Sequence, residues 1–145
     1  MPQPRNNTSA LIQVSWHVSE RFRPGTDTWI ASDSPSSPFS GVFEDDGAAA
    51  YFYAYDRGVP GGAILDAVHI YDVANVADAD RDSEAEVVWS ADGLKAGLRI
   101  NGHVHAVLDF ESRRGYCRSN FPPPGGEWAA PERAPWSDQL EDLLR

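Results

Sequence analysis

The chain has 145 residues, a formal net charge of −10 and a single cysteine. Its length is typical of one domain, and its five Trp, five Tyr and six Phe argue against disorder, because disordered chains lack large apolar side chains. The excess of acid repels phosphate backbones, which argues against nucleic acid as a ligand.

The cellular location is predicted from targeting signals and thiol content. One thiol cannot close an internal disulfide, so nothing in the cysteine content points to an oxidising compartment. Residues 1–10 are polar, without a signal-peptide core, and no apolar run approaches the roughly 20 residues that span a bilayer. We therefore expect a soluble cytoplasmic protein with no membrane partner, whose residues 1–10 are flexible.

The first elements in chain order are a strand and a long loop. Residues 11–19 alternate between apolar and polar side chains, a period of two that is typical of a strand with one solvated face. Residues 23–41 are rich in Pro, Ser and Gly and predict a loop with a short strand around Trp29 and Ile30. The apolar side of the first strand carries Ile12, Val14, Trp16 and Val18.

A hairpin is predicted over residues 41–55. Its turn is placed at Asp46-Gly47, because glycine adopts the positive φ that a type I′ turn requires. Residues 64–73 form the next predicted strand, and their apolar side chains on both faces indicate a central position in a sheet. Residues 74–83 are polar and predict a loop.

The clearest pattern is a three-stranded antiparallel meander over residues 84–110. Its two turns are predicted at Asp92-Gly93 and Asn101-Gly102, and Asn-Gly is the strongest short hairpin signal. Alternation then predicts that one face of the meander is apolar and faces the core. That face carries Val87, Trp89, Leu94, Ala96, Leu98, Ile100, Val104, Ala106, Leu108 and Phe110.

The last part of the chain is predicted to be irregular and then helical. Residues 112–135 are rich in Pro and Gly, and Ser137 can cap a short helix with an apolar stripe of Trp136, Leu140, Leu143 and Leu144. The whole pattern predicts a single, mainly β domain over residues 1–145. We expect a twisted antiparallel sheet or open barrel of about six to seven strands built from hairpins, with one short C-terminal helix.

Two features of residues 41–92 suggest a contact surface. The segment holds twelve acids against two bases, which would attract a basic partner, although net charge alone can serve solubility. Three tyrosines alternate with Ala50, Phe52 and Ala54, so either the tyrosine row is exposed for binding or the helix or Pro-rich loop covers it. The candidate partner-binding residues are Glu44, Asp45, Asp46, Tyr51, Tyr53 and Tyr55.

A histidine pair is the main candidate for metal chemistry. Period two places His103, His105 and Asp109 on one side of a strand, and the spacing from Gly97 resembles the first metal motif of the cupin barrels. The acid is Asp where that family uses Glu, the spacing to Gly115 is one residue short, and no histidine follows. We therefore interpret the pair as solvent-facing side chains, and expect no metal and no cofactor.

Two weaker patterns carry no predicted chemistry. Asp78, Asp80 and Asp82 begin like a calcium loop, but Ser83 and Trp89 stand where an EF-hand needs Gly and a bidentate Glu. Cys117 has arginines nearby in sequence that would favour its thiolate, but no base is placed beside it. We therefore expect a solvated acidic turn and a buried, inert cysteine.

Several short segments resemble a family of uncharacterised small bacterial proteins, a domain of unknown function, over roughly residues 40–137. The resemblance implies a bacterial source and carries no known activity or site. The segments are Phe43-Glu-Asp-Asp-Gly47, Tyr51-Phe-Tyr-Ala-Tyr-Asp56, Trp89-Ser-Ala-Asp-Gly93, Lys95-Ala-Gly97, Arg113-Arg-Gly-Tyr-Cys117 and Asn120-Phe-Pro-Pro-Pro124.

Three functions are consistent with the sequence. The first is an acidic protein-binding module, for which a bacterial immunity protein that masks a basic toxin surface offers an analogy. The second is a cupin-like metal-dependent enzyme that uses His103, His105 and Asp109. The third is a small-molecule binding domain with its pocket under residues 112–135. The missing catalytic constellation favours the first, with another protein of basic surface as the partner.

Overall fold

This computed structural model describes residues 17–145, which contain nine strands and three short 3₁₀ helices. The 3₁₀ helices cover Val73–Asn75, Gly126–Trp128 and Asp138–Leu144. The strands are β1 (His17–Phe22), β2 (Thr28–Asp33), β3 (Phe39–Asp45), β4 (Ala49–Asp56), β5 (Ala63–Asp72), β6 (Ser83–Trp89), β7 (Lys95–Ile100), β8 (His103–Asp109) and β9 (Arg114–Cys117).

The strands form two antiparallel sheets, which confirms the mainly β class. The five-stranded sheet has the order β1-β6-β7-β8-β9 and the four-stranded sheet the order β2-β3-β4-β5, so neither closes into a barrel among the described strands. The strand predicted over residues 11–19 lies mostly outside the described residues, and β1 begins at His17. Strand β9 was not predicted, because four residues in a Pro-rich segment give too short a pattern.

The inner faces of the two sheets share one hydrophobic core. Both sheets contribute alternate side chains to it, as expected for half-buried strands. Burial of apolar surface in such a core is the main force that stabilises the fold. Six large side chains that are 0 or 1% exposed mark its centre: Ile30, Phe43 and Phe52 from the four-stranded sheet, and Val87, Leu98 and Leu108 from the five-stranded sheet.

The turns of the meander lie where the sequence places them. Gly93, Asn101 and Gly102 have φ of 72°, 52° and 85°, and the last two give the positive pair that a type I′ turn requires. Strands β6, β7 and β8 pair as an antiparallel meander, which confirms the prediction. The β3–β4 connection differs from the type I′ turn predicted at Asp46-Gly47, since it has three residues, 46–48, with Gly47 at φ of 98°.

One buried arginine anchors residues 112–135, which were predicted to be irregular and which contain β9. The guanidinium of Arg133 forms a bidentate pair with Asp66, with Nη1–Oδ2 and Nη2–Oδ1 distances of 2.8 and 3.0 Å. Both side chains are 1% exposed. The arginine also donates to the carbonyl oxygens of Pro122, Gly115 and Ala67. These five hydrogen bonds match the five N–H groups of a guanidinium, so the buried charge is fully compensated.

The C-terminal helix packs on the outer face of β7 and β8, away from the four-stranded sheet. Ser137 caps it as predicted, since its Oγ accepts the backbone N–H of Gln139 at 3.2 Å. Leu144 occupies the space where a side chain at Gly97 would lie, which explains the close approach of helix and strand. No helix within residues 17–145 is long and apolar enough to cross a membrane.

Candidate functional site

The tyrosine row of β4 lies on the outer face of the four-stranded sheet. Ala50, Phe52 and Ala54 are 0% exposed in the core, whereas Tyr51, Tyr53 and Tyr55 point outward and are half-buried. The C-terminal helix does not cover the row, because it packs on the other sheet. The sequence left open whether the row is exposed or covered by the helix or the Pro-rich loop; the tyrosines face outward and are half-buried, and Phe121 of the Pro-rich segment contacts His69 next to Tyr51.

Strand register places twelve outward-facing side chains in three rows across the four-stranded sheet. Cross-strand partners lie on the same face, so each row is a line of neighbouring side chains. Aromatic rings concentrate in the first row and on β4. The rows are Trp29–Glu44–Tyr51–His69, Ala31–Val42–Tyr53–Ala67 and Asp33–Ser40–Tyr55–Ile64, which we call the aromatic face.

Five rings form a continuous strip along this face. Trp29 lies 6.3 Å from Tyr53, Tyr53 lies 6.4 Å from Tyr51, and Tyr51 lies 5.5 Å from His69, all between ring centroids. Phe121, from the Pro-rich segment, continues the strip at 5.9 Å from His69. Its two ends are open, since Trp29 is 62% exposed and Phe121 is 52% exposed. Such an exposed group of large apolar side chains is typical of an interaction surface.

A groove of about 370 Å³ lies beside the strip. Its lining includes the small side chains of Ala31 and Val42, which are cross-strand partners. Its walls include Trp29, Tyr55 and Ile64, and the isoleucine is 54% exposed. Small residues flanked by large ones create a depression that can receive a protruding side chain.

Glu44 lies within the first aromatic row, between Trp29 and Tyr51. Its Oε1 accepts a hydrogen bond from the hydroxyl of Tyr53 at 2.7 Å. Burial, followed by the hydrogen bond and charge of Glu44, raises the pKa of Tyr53 well above its usual range. Tyr53 therefore stays neutral at physiological pH and holds the carboxylate in place.

Asp45, a predicted partner contact, is instead a buried structural residue. It is 1% exposed, because the alternation of β3 directs it inward with Phe43. Its carboxylate accepts the backbone N–H groups of Gly25 and Gly47, both at 2.8 Å, and the hydroxyl of Tyr71 at 2.6 Å. These bonds tie the β3–β4 connection to its neighbours, so Asp45 is not available to a partner.

Asp46 is exposed at the tip of the β3–β4 connection. Its Oδ1 accepts the backbone N–H groups of Ala48 and Ala49, both at 2.9 Å, and these bonds lower the pKa of Asp46 below its usual value. The carboxylate therefore stays charged down to acidic pH. Of the three predicted acids, Glu44 and Asp46 remain accessible near the aromatic face.

His69 is held firmly at the β5 end of the strip. Its Nε2 lies 3.0 Å from the carboxylate of Asp72, and its Nδ1 lies 3.3 Å from the hydroxyl of Ser119. That hydroxyl also donates to the His69 carbonyl oxygen at 3.3 Å. These contacts orient the imidazole edge-on to Tyr51 and connect the aromatic face to the Pro-rich segment.

The predicted alignment of the histidine pair with Asp109 fails at a β-bulge. A register shift between Leu98 and Arg99 leaves His105 without a partner on β7 and sets His103 opposite the core residue Ile100. Alternation therefore does not carry both imidazoles to one face. Within the described part of the chain, no three His, Cys, Asp or Glu side chains are grouped to hold a metal ion.

The side chains of this region have structural partners of their own. Asp109 Oδ1 accepts the backbone N–H groups of Glu111 and Ser112, both at 3.0 Å, and so shapes the β8–β9 turn. Burial, followed by the charges of Arg118 and His103, lowers the pKa of His105. A neutral imidazole suits this half-buried position on β8.

The remaining candidates of the sequence analysis are structural or solvated. Cys117 is 0% exposed, which confirms the predicted buried cysteine. In the acidic turn, Asp78, Asp80 and Asp82 are exposed, and Asp82 pairs with Arg23 at 3.0 Å. These positions therefore offer no further site.

A cavity of about 510 Å³ lies under residues 112–135, where a small-molecule pocket was expected. Arg133 and Asp66 contribute to its wall, but their charged groups are already paired with each other. All N–H groups of this arginine are used within the protein, as shown above. Arg113 and Arg114 also line the cavity, and Arg113 lies 3.7 Å from Glu127, so only the Arg133 guanidinium is excluded as a ligand for an anion.

Trp29, Ile64 and Phe121 are exposed apolar side chains on or beside this face that were not among the predicted contacts. The alternation in β2, with Ile30 and Ser32 buried and Trp29, Ala31 and Asp33 outward, could have identified Trp29. Phe121 gives no such signal, since it reaches the face from an irregular segment and its place depends on contacts distant in sequence.

Comparison with known proteins supports the expected family. One relative is an "Uncharacterized protein" of Haemophilus influenzae (strain ATCC 51907 / DSM 11121 / KW20 / Rd), 38% identical over 86 residues, or 59% of this chain and 53% of that protein. The chain thus spans about half the length of the curated relative it matches. No solved structure matches. The profile of a family described as "Uncharacterized protein conserved in bacteria (DUF2251)" matches residues 22–145, so the chain belongs to this family.

Proposed function

We propose that this chain is a protein-binding module that contacts its partner through the aromatic face. The observation that carries the proposal is the continuous strip from Trp29 to Phe121, whose end rings are 62% and 52% exposed. Large, stiff rings lose little conformational entropy on binding, and Trp and Tyr dominate the residues that contribute most to protein interfaces.

The charge of the chain supports a basic partner. The net charge is −10, and Glu44 and Asp46 carry accessible carboxylates in or beside the face. Complementary charge speeds encounter and excludes acidic partners, while the rings provide contact area once the complex has formed. An immunity protein that masks a basic toxin surface is one form of such a module, and a toxin gene adjacent to this gene would favour it.

Capture of the partner from the native host tests this proposal. We expect the tagged chain to retain a basic protein, and Trp29→Ala to reduce its affinity by at least about thirtyfold, because truncating a large ring that anchors an interface typically costs about 2 kcal/mol or more. The control is Val59→Ala, which removes an exposed apolar side chain from the β4–β5 loop. Equal affinity of the wild type and Trp29→Ala for the captured protein would contradict the proposal.

A further inference from the structure

We propose that Glu44 and the rings around it form a binding site for one arginine side chain of the partner protein. This inference rests on the proposed function and specifies the chemistry of the contact. Trp29 and Tyr51 flank Glu44 in the first row, and Tyr53 holds its carboxylate from the next row. The site therefore combines ring faces with one fixed negative charge.

Among the described residues, the carboxylate of Glu44 has no cationic partner. Among residues 17–145, no Lys, Arg or His nitrogen lies within 4.0 Å of it, and its hydrogen bond comes from the neutral Tyr53 hydroxyl. The residue is half-buried among rings, so its charge is partly removed from water. A partly desolvated charge gains more from an added opposite charge than a fully solvated one does.

The ring faces beside Glu44 select for a planar cation. A guanidinium stacks on an indole or phenol face and can direct its N–H fork at a neighbouring carboxylate, whereas an ammonium offers only a point charge. Trp29 is 62% exposed and gives the best such face among the side chains of this row. Arginine therefore fits the combination better than lysine does.

The chain itself contains the same combination beside the C-terminal helix, occupied by its own arginine. The guanidinium of Arg118 lies 4.8 Å from the centre of the Trp136 ring, and its Nη1 lies 3.6 Å from a carboxylate oxygen of Asp138. There, too, a tryptophan face and a carboxylate lie side by side and hold one guanidinium. At Trp29 and Glu44 the described residues provide the ring and the carboxylate but no arginine.

Titration with short capped peptides tests the site on the full chain, read by NMR at the Trp29 indole N–H. The probes are acetyl-Gly-Arg-Gly-amide, its lysine analogue and its citrulline analogue, which keeps the planar group and removes the charge. We expect the arginine peptide to bind at least about threefold more tightly than the lysine peptide, and citrulline to be weakest.

Two variants localise the effect. Glu44→Gln keeps an oxygen acceptor for Tyr53 but removes the charge, and should weaken the arginine peptide by about fivefold. The matched control Glu141→Gln removes one exposed charge from the C-terminal helix and should leave affinity unchanged. Trp29→Ala, followed by backbone amides because it lacks the reporter ring, should also weaken binding.

Equal affinity for arginine and lysine peptides, or an arginine affinity unchanged by Glu44→Gln, would overturn the arginine site. If the arginine site is overturned by either result but Trp29→Ala still abolishes capture of the partner, the protein-binding proposal stands without the arginine site. Conversely, arginine-peptide binding that depends on Glu44, with capture unaffected by Trp29→Ala, would support the cation site and contradict the proposed function.

Discussion

Replacing Arg133 with methionine is expected to lower the free energy of unfolding by about 3–5 kcal/mol. The substitution leaves the Asp66 carboxylate buried without its partner, since both side chains are 1% exposed and joined by two hydrogen bonds. It also frees the carbonyl oxygens of Pro122, Gly115 and Ala67, which lose their donors. In the variant, residues 118–135 should detach from the rest of the protein before other parts unfold, because this arginine anchors them.

Urea denaturation measures this effect, with Arg145→Met as the matched control. Arg145 is an exposed arginine whose pair with Asp142 lies in solvent, so its loss should change stability by less than about 0.5 kcal/mol. The double variant Asp66→Leu/Arg133→Met should lose less free energy of unfolding than the sum of the losses in the two single variants, because neither charge remains buried alone. A loss below about 1 kcal/mol for Arg133→Met would contradict the anchoring role.

Phe52→Ala should cost about 3–5 kcal/mol, whereas Tyr53→Phe should cost about 0.5–1.5 kcal/mol. The two neighbours point to opposite faces of β4, and only Phe52 is fully buried in the core. The tyrosine variant loses its hydrogen bond to Glu44 but keeps its ring on the outer face. Urea denaturation of both proteins under the same conditions gives the comparison.

The order of these two effects tests the orientation of β4. If Tyr53→Phe were the more destabilising change, the tyrosine row would lie inside and the aromatic face would not exist. A Tyr53→Leu variant separates ring from hydroxyl, and we expect it to remain less destabilising than Phe52→Ala, since Tyr53 is only half-buried.

The meander was predictable because its signals are local. Alternation over β7 and the Asn101-Gly102 turn lie within a few residues of each other, and the observed φ values of 52° and 85° follow from that pair. The predicted cap Ser137 is local in the same way. Local chemistry of this kind acts before any tertiary contact forms.

The faces of β4 show where local signals end. Alternation separates Tyr53 from Phe52, but both are large side chains, and the sequence does not say which row meets the second sheet. Burial of Phe52 depends on residues such as Gly41 of β3, whose missing side chain makes room for the Phe52 ring. Contacts between strands therefore determine which face of β4 is buried against the second sheet.

Among the remaining errors, the assignment of Asp45 to the surface overlooks strand alternation, and the others arise from register and from long-range pairing. The one-residue register shift at His105 prevents the two histidines from sharing one face as expected, and no pattern in the sequence of β8 indicates it. Asp45 follows Glu44 and precedes Asp46 in a run of acids, yet strand alternation buries only the middle one. The Arg133–Asp66 pair joins residues 67 positions apart, beyond the reach of any local motif.

Hydroxyl-radical footprinting of the full chain, alone and bound to the captured partner, tests the central claim that the aromatic face is the binding surface. In the free chain, Trp29 should oxidise readily and Trp128 slowly, since they are 62% and 6% exposed. On complex formation, oxidation of Trp29 should fall towards the rate of Trp128, while Trp136, which packs against Arg118 beside the C-terminal helix, keeps its rate. Trp29 remaining as reactive in the complex as in the free chain would contradict the account.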